Sequence, residues 1–99
     1  MTNDRKHRLP DELMVCRVCG RRHETPPWGH DGISPSYEIC PCCGVEFGYD
    51  DATRPAVLRH RALWRKADYG WSDPILCPPG WRAVDQIAQI PDDYRDDQA

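Results

Sequence analysis

Two short segments in which apolar and polar residues alternate flank the sequence Cys-Pro-Cys-Cys-Gly at residues 40–44. Such a period of two is typical of β-strands, because successive side chains of a strand point to opposite faces. The pattern therefore predicts a β-hairpin with the cysteine-rich turn at its tip. The apolar positions of the two strands are Tyr37, Ile39, Val45, Phe47 and Tyr49.

After residue 53 the apolar positions recur with the period of a helix, at ~100° per residue. Thr53 or Asp51 can supply the N-cap, and Pro55 is compatible with the first turn. Gly70 is expected to end the helix. The stripe predicted to be buried consists of Ala56, Val57, His60, Leu63, Trp64 and Ala67.

A second, shorter helix is predicted after a proline-rich loop, and Pro91 is expected to stop it. The polar residues 1–12 and the acidic residues 92–99 are predicted to be disordered tails around a single domain at 13–91. The expected fold is thus a small α+β module with a hairpin and two short helices. The apolar face of the second helix is predicted to contain Trp81, Val84, Ile87 and Ala88.

The composition shows that such a module needs additional stabilisation. The chain has 99 residues, of which 39% are hydrophobic and ten are proline, and this supports only a small core. Neither an apolar signal-peptide region nor a run of ~20 apolar residues is visible, so a cytoplasmic location without membrane insertion is expected. Cysteines stay reduced in that compartment, where Cys-x-x-Cys pairs are typical of metal sites.

Two Cys-x-x-Cys-Gly turns, which we call the first and second knuckle, predict one tetrahedral zinc site. Gly20 and Gly44 follow the turns, at positions where positive φ is expected. A redox dithiol pair is the alternative to a metal site, and iron would use the same four ligands. Cys42 is expected to be a small packed side chain, with an alternative ligand or a reactive thiol as the other interpretations. The predicted zinc ligands are Cys16, Cys19, Cys40 and Cys43.

The segment Ser-Pro-Ser-Tyr-Glu-Ile-Cys-Pro-Cys-Cys-Gly-Val-Glu-Phe-Gly-Tyr-Asp-Asp at residues 34–51 resembles a family of small uncharacterised bacterial proteins related to the cysteine-rich CPCC domain. The likeness covers roughly residues 14–90. It implies a zinc-ribbon-like module with appended helices, and the family brings no activity with it. In many CPCC proteins this string forms the first knuckle, whereas here it forms the second, which leaves the role of Cys42 open.

Charge is distributed unevenly: residues 53–67 carry five basic and no acidic side chains, although the net charge of the chain is −3. The predicted helix lacks internal ion-pair partners for these cations, so we expect its outer side to bind a partner. The residues predicted to form that surface are Arg54, Leu58, Arg61 and Arg65.

No catalytic group of residues emerges, and a four-thiolate site has no open position for water. The predicted function is therefore a non-enzymatic protein-interaction module, such as an adaptor or an immunity-type inhibitor, with an unidentified protein partner. The alternative is a zinc ribbon that binds RNA or the ribosome through the basic helix at 54–66. Electron transfer by a rubredoxin-like iron site is a third possibility.

Overall fold

The computed structural model describes residues 11–96. Residues 11–13 are helical, and two α-helices follow later in the chain: α1 at Arg54–Lys66 and α2 at Ala83–Ile87. Two 3₁₀ turns, Pro74–Leu76 and Asp92–Tyr94, complete the regular structure of this part of the chain. Of the two predicted tails, residues 1–10 and 97–99 lie outside this range.

Helix α1 begins as its sequence predicts. The Thr53 hydroxyl accepts a hydrogen bond from the Ala56 amide at 3.3 Å, and Pro55 lies in the first turn, where its missing N–H costs nothing. The helix ends one turn before Gly70, because Asp68 and Tyr69 adopt positive φ values of 59° and reverse the chain. The period of the apolar residues therefore located this element correctly.

The buried face of α1 is rotated from the predicted one. Val57, Arg61 and Trp64 are buried, at spacing i, i+4, i+7, whereas Leu63 is 59% exposed. The predicted stripe contains two of these three residues but places Arg61 on the solvent side. Burial of Arg61 follows from its hydrogen bonds, described below, because a buried guanidinium is stable only when its donors are paired.

The predicted β-hairpin is wrong: residues 11–96 contain no β-strand. The alternating segments pair only through an isolated antiparallel bridge between Ile39 and Glu46. Tyr37 has a φ of +62° and Gly48 a φ of +96°, so the extended conformation ends on both sides of the bridge. At Gly48 the chain turns back against Pro35; a Cβ at Gly48 would lie 2.5 Å from the Pro35 Cβ. Packing of this turn replaces the rest of the strand pairing.

Cysteine side chains make up half of the main core cluster. Val57 and Trp64 cover this cluster from α1, and Trp71, Trp81 and Ile87 pack against it from the loop and α2. Val84, predicted on the buried face of α2, is instead 59% exposed. The core cluster consists of Cys16, Val18, Cys19, Cys40, Cys42, Cys43, Val45, Phe47, Val57 and Trp64.

The first residues of the acidic C-terminus belong to the folded unit. Residues 92–96, which we call the C-terminal segment, include a 3₁₀ turn and lie against α1. Arginines of α1 bind carbonyl and carboxylate oxygens of this segment. The segment lies beyond the predicted domain boundary at residue 91.

Candidate metal centre

The four predicted ligands meet at one point in the core. The sulfur atoms of Cys16, Cys19, Cys40 and Cys43 all lie within 4.8 Å of one another, and three of the residues have no exposed surface. Two edges of this sulfur cluster, Cys16 to Cys43 and Cys19 to Cys40, measure 3.7 Å. A tetrahedron with Zn–S bonds of about 2.3 Å has edges of about 3.8 Å. The cluster can therefore hold one metal ion of this size.

The two knuckles have the same backbone structure, displaced by 24 positions along the chain. In the first, the Gly20 amide donates to the Cys16 carbonyl at 3.0 Å; in the second, the Gly44 amide donates to the Cys40 carbonyl at 2.9 Å. Both glycines adopt positive φ, +83° and +80°. That conformation is easily reached only without a Cβ, which explains a glycine after each Cys-x-x-Cys turn.

The repeat extends beyond the turns themselves. The amide of the first cysteine in each knuckle donates to a carbonyl five residues further on: Cys16 donates to the Arg21 carbonyl at 2.9 Å, and Cys40 donates to the Val45 carbonyl at 2.9 Å. The isolated bridges also correspond, because Val15–Arg22 and Ile39–Glu46 are again 24 positions apart. A metal bound here would thus be held by two knuckles of equivalent structure, each positioned by its own backbone hydrogen bonds.

Cys42 occupies in the second knuckle the position that Val18 occupies in the first. Both side chains are fully buried. The Cys42 sulfur accepts a hydrogen bond from Gln86 Nε2 at 3.3 Å, and the same nitrogen donates to the Cys19 carbonyl at 3.1 Å. The cluster of four mutually close sulfurs does not include Cys42. These contacts favour the packed side chain over the alternative ligand.

Burial of the sulfur cluster makes a bound cation necessary for full ionisation. Desolvation raises the pKa values of the Cys19 and Cys43 thiols well above normal. Hydrogen bonds from Cys16, Cys19 and Cys43 lower the pKa of Cys40, because the neighbouring thiols stabilise its thiolate. A divalent metal supplies the charge that four thiolates require.

His23 lies beside the second knuckle and was not predicted as part of the site. Its ring packs edge-on against Phe47, with centroids 5.2 Å apart, and Nδ1 lies 3.2 Å from an Arg21 guanidinium nitrogen. The buried Nε2 has no hydrogen-bond partner of standard geometry within residues 11–96. The His23 side chain adds, after the three neighbouring thiols, to the lowering of the Cys40 pKa.

Arg61 is also part of the metal centre's support, in contrast to its predicted role on a partner surface. The side chain is 2% exposed. Its Nε donates to the Val18 carbonyl at 2.7 Å, and Nη2 donates to the Arg17 carbonyl at 2.8 Å. Both carbonyls belong to the first knuckle, between two ligands. The prediction failed because the helical period alone cannot reveal acceptors 43 or more positions away.

Of the other members of the predicted surface, the two arginines bind the C-terminal segment, and the leucine is half-buried. Arg54 donates to the Asp93 and Arg95 carbonyls, at 3.2 and 2.6 Å, and Arg65 donates to the Asp96 carboxylate at 2.7 Å. Leu58 is half-buried beside them. The arginines are therefore engaged by the protein's own C-terminal segment, so the four residues do not form an open partner surface.

Chemically, the site is suited to a structural metal. Four thiolates complete a tetrahedron and leave no position at which a metal could activate water. Sequence reasoning missed Gln86 and His23 and assigned Arg61 to a partner surface, since each contacts the knuckles from a distant or irregular part of the chain. None of the helices within residues 11–96 is long and apolar enough to cross a membrane.

Comparison of the chain with protein-family models, with curated proteins and with solved structures gave no significant match. The resemblance to CPCC-related proteins accordingly stays a sequence-based expectation.

Proposed function

We propose that this chain is a non-enzymatic protein-interaction module built around one structural Zn²⁺ ion. The buried four-cysteine cluster, with two sulfur–sulfur distances of 3.7 Å, supports a closed metal site. Zinc is the usual metal of such sites in small intracellular domains. Elemental analysis of the purified protein tests this part: one zinc per chain is expected. A red protein containing iron would instead favour electron transfer.

The surface that supports partner binding is the exposed side of α1, away from the C-terminal segment. Arg59, Leu63 and Lys66 lie there at spacing i, i+4, i+7, and we call them the outer row. All three side chains are exposed. Arg59 and Lys66 have no ion-pair partner among residues 11–96. The outer row thus presents an apolar side chain between two uncompensated cations.

Two depressions of about 440 Å³ each lie beside the outer row, and both are lined by His60 and Leu63. One extends towards Trp71 and the second knuckle, and the other towards Tyr49, which is 75% exposed. Apolar and aromatic side chains with flanking cations are typical of protein-binding surfaces. This surface suits a protein segment that combines an apolar side chain with acidic residues.

The observation that carries the proposal is the 59% exposure of Leu63 between two cations that have no ion pair within residues 11–96. The alternative, RNA or ribosome binding through α1, has lost much of its basis. Three of the five cations of the helix are engaged by the C-terminal segment, which leaves two for phosphate contacts.

The proposal is tested with a variant that removes the outer row, Arg59→Ala, Leu63→Ala and Lys66→Ala. The matched control is Arg82→Ala with Val84→Ala, because Val84 has the same 59% exposure and Arg82 is also exposed. We expect the outer-row variant to keep its zinc and to melt within a few degrees of the parent, yet to lose the protein that the parent and the control retain from extracts of the source cells.

If the outer-row variant retains as much partner protein as the parent does, the partner surface lies elsewhere. Nuclease treatment and a salt titration separate the alternative function. A complex that disappears on nuclease treatment, with affinity falling steeply as salt rises, would indicate RNA instead of protein.

A further inference from the structure

Arg61 connects the first knuckle to the C-terminal end of the described chain. Besides the Arg17 and Val18 carbonyls, its guanidinium donates to the Tyr94 carbonyl at 2.6 Å and to the Asp96 carboxylate. One nearly buried side chain therefore binds backbone on both sides, and the two segments are more than 70 positions apart in sequence.

The peptide group between Arg17 and Val18 makes this connection relevant to the metal. Its N–H, on Val18, lies 3.4 Å from the Cys16 sulfur, and its carbonyl, on Arg17, accepts from Arg61. By holding the carbonyl, Arg61 fixes the orientation of the N–H that faces the ligand. Such N–H···S contacts stabilise thiolate ligands and set their direction.

The second knuckle is held in a different way. The carbonyls of Pro41 and Cys42, at the positions equivalent to Arg17 and Val18, accept hydrogen bonds from the amides of Asp73 and Ser72, at 2.8 and 3.0 Å. Backbone of the following loop thus does for this knuckle what Arg61 does for the first. Among residues 11–96, the hydrogen bonds that tie a knuckle carbonyl to the C-terminal segment through Arg61 are those of the first knuckle.

Asp96 holds Arg61 in place. Its carboxylate pairs with Arg61 and, through the other oxygen, with Arg65 at 2.7 Å. A second contact joins the first knuckle to this segment: the Arg17 guanidinium carbon lies 3.9 Å from the Trp28 ring centroid and 4.7 Å from that of Tyr94. Loss of Asp96 would leave Arg61 buried without its counter-charge, a state that favours withdrawal of the guanidinium from the core.

We infer that the C-terminal segment is a working part of the metal centre: Asp96, acting through the positioning residue Arg61, determines how firmly the first knuckle holds its metal. Detachment of the segment loosens the Cys16 side of the site while the Cys40 side keeps its support. The inference rests on the metal site of the proposed function and is independent of any partner.

The test compares zinc release from zinc-loaded Asp96→Asn and from the parent, each mixed with an excess of a colorimetric chelator. Asp93→Asn is the matched control, since it removes the same charge from the same segment and its carboxylate has no ion pair among residues 11–96. We expect release from Asp96→Asn to be roughly tenfold faster than from the parent and from the control, the lower end of the range for residues that support metal ligands.

Hydrogen exchange provides a readout that needs no metal transfer. In Asp96→Asn the Gly20 amide of the first knuckle should exchange faster, whereas the Gly44 amide of the second should be unchanged. Arg61→Lys, which keeps the charge but not the planar set of donors, should show the same asymmetry.

Release rates within twofold of the parent for Asp96→Asn, or equal acceleration at Gly20 and Gly44, would overturn the inference. Metal content of the parent alone decides whether the proposed zinc is correct, so the two failures are distinguishable.

Discussion

Replacing Arg61 with alanine tests whether the arginines of α1 face outward or hold the protein together. The change removes a side chain that is 2% exposed and donates to four oxygen acceptors. Arg59→Ala is the natural control, because it removes the same side chain from the same helix at an exposed position. Helix propensity changes equally in both variants, so their difference reports burial and pairing.

The expected magnitude follows from these contacts. Breaking a buried ion pair by removing one partner costs about 3–5 kcal/mol, and buried carbonyls left without donors cost about 1–3 kcal/mol each. Asp96 is partly exposed and can be rehydrated, so we expect a loss of about 3–4 kcal/mol for Arg61→Ala. For Arg59→Ala we expect less than about 0.5 kcal/mol. In a domain of this size, the first corresponds to a fall in Tm of well over ~10 °C.

The assay is urea unfolding of both metal-loaded variants at equal protein and metal concentration, followed by tryptophan fluorescence. A loss below about 1 kcal/mol for Arg61→Ala, or equal losses for both variants, would refute the reasoning. Either result would mean that the Arg61 guanidinium does not significantly stabilise the first knuckle.

Three further outcomes are expected. Cys43→Ser should abolish stoichiometric metal binding, whereas Cys42→Ser should retain one metal per chain by elemental analysis; equal loss would make Cys42 a ligand. Gly20→Ala should destabilise the protein by about 2 kcal/mol or more in urea unfolding, since its φ is +83° and the new Cβ would lie 2.3 Å from the Gln86 carbonyl oxygen; a neutral effect would contradict this packing. Burial opposes ionisation of Asp96, but its two arginine partners outweigh burial and lower its pKa, so its contribution is present above the unfolded pKa and is lost as pH falls through the folded one. The stability difference between the parent and Asp96→Asn should therefore shrink below about pH 4, and a difference that is constant with pH would count against the ion pairs.

The clustering of the four cysteines could be predicted from the sequence because the chemistry of a Cys-x-x-Cys turn is local. A Cys-x-x-Cys turn places two sulfurs on one edge of a tetrahedron whatever the rest of the chain does. Helix α1 was also predictable, since Thr53 and the spacing of Val57 and Trp64 act within a few turns. Neither inference needs knowledge of which distant segments meet.

The predictions of a hairpin and of outward-facing arginines failed because both features depend on contacts between distant parts of the chain. Alternation around residues 36–50 is compatible with strands, but whether they pair beyond one bridge depends on how Gly48 packs against Pro35. The helical period likewise assigns Arg61, a polar residue, to the solvent side. It carries no information about the knuckle carbonyls and the Asp96 carboxylate that accept its hydrogen bonds. Long-range polar contacts of this kind have no signature in a local pattern.

The 24-residue repeat has a consequence for how the protein survives oxidation. Its first copy has valine at the position where the second has Cys42, so the centre contains five buried sulfurs around a site for one ion. Once the ion is lost, oxidation can close two disulfides and must leave one thiol over, and any pairing that includes Cys42 removes a ligand from use. A Cys42→Val chain, which copies the first knuckle, has no such wrong partner beside the ligands. Its four cysteines should return to the metal-bound form more completely after a cycle of metal stripping, oxidation and reduction. The fifth sulfur, on Cys42, therefore lowers the fraction of the protein that regains its metal after oxidation.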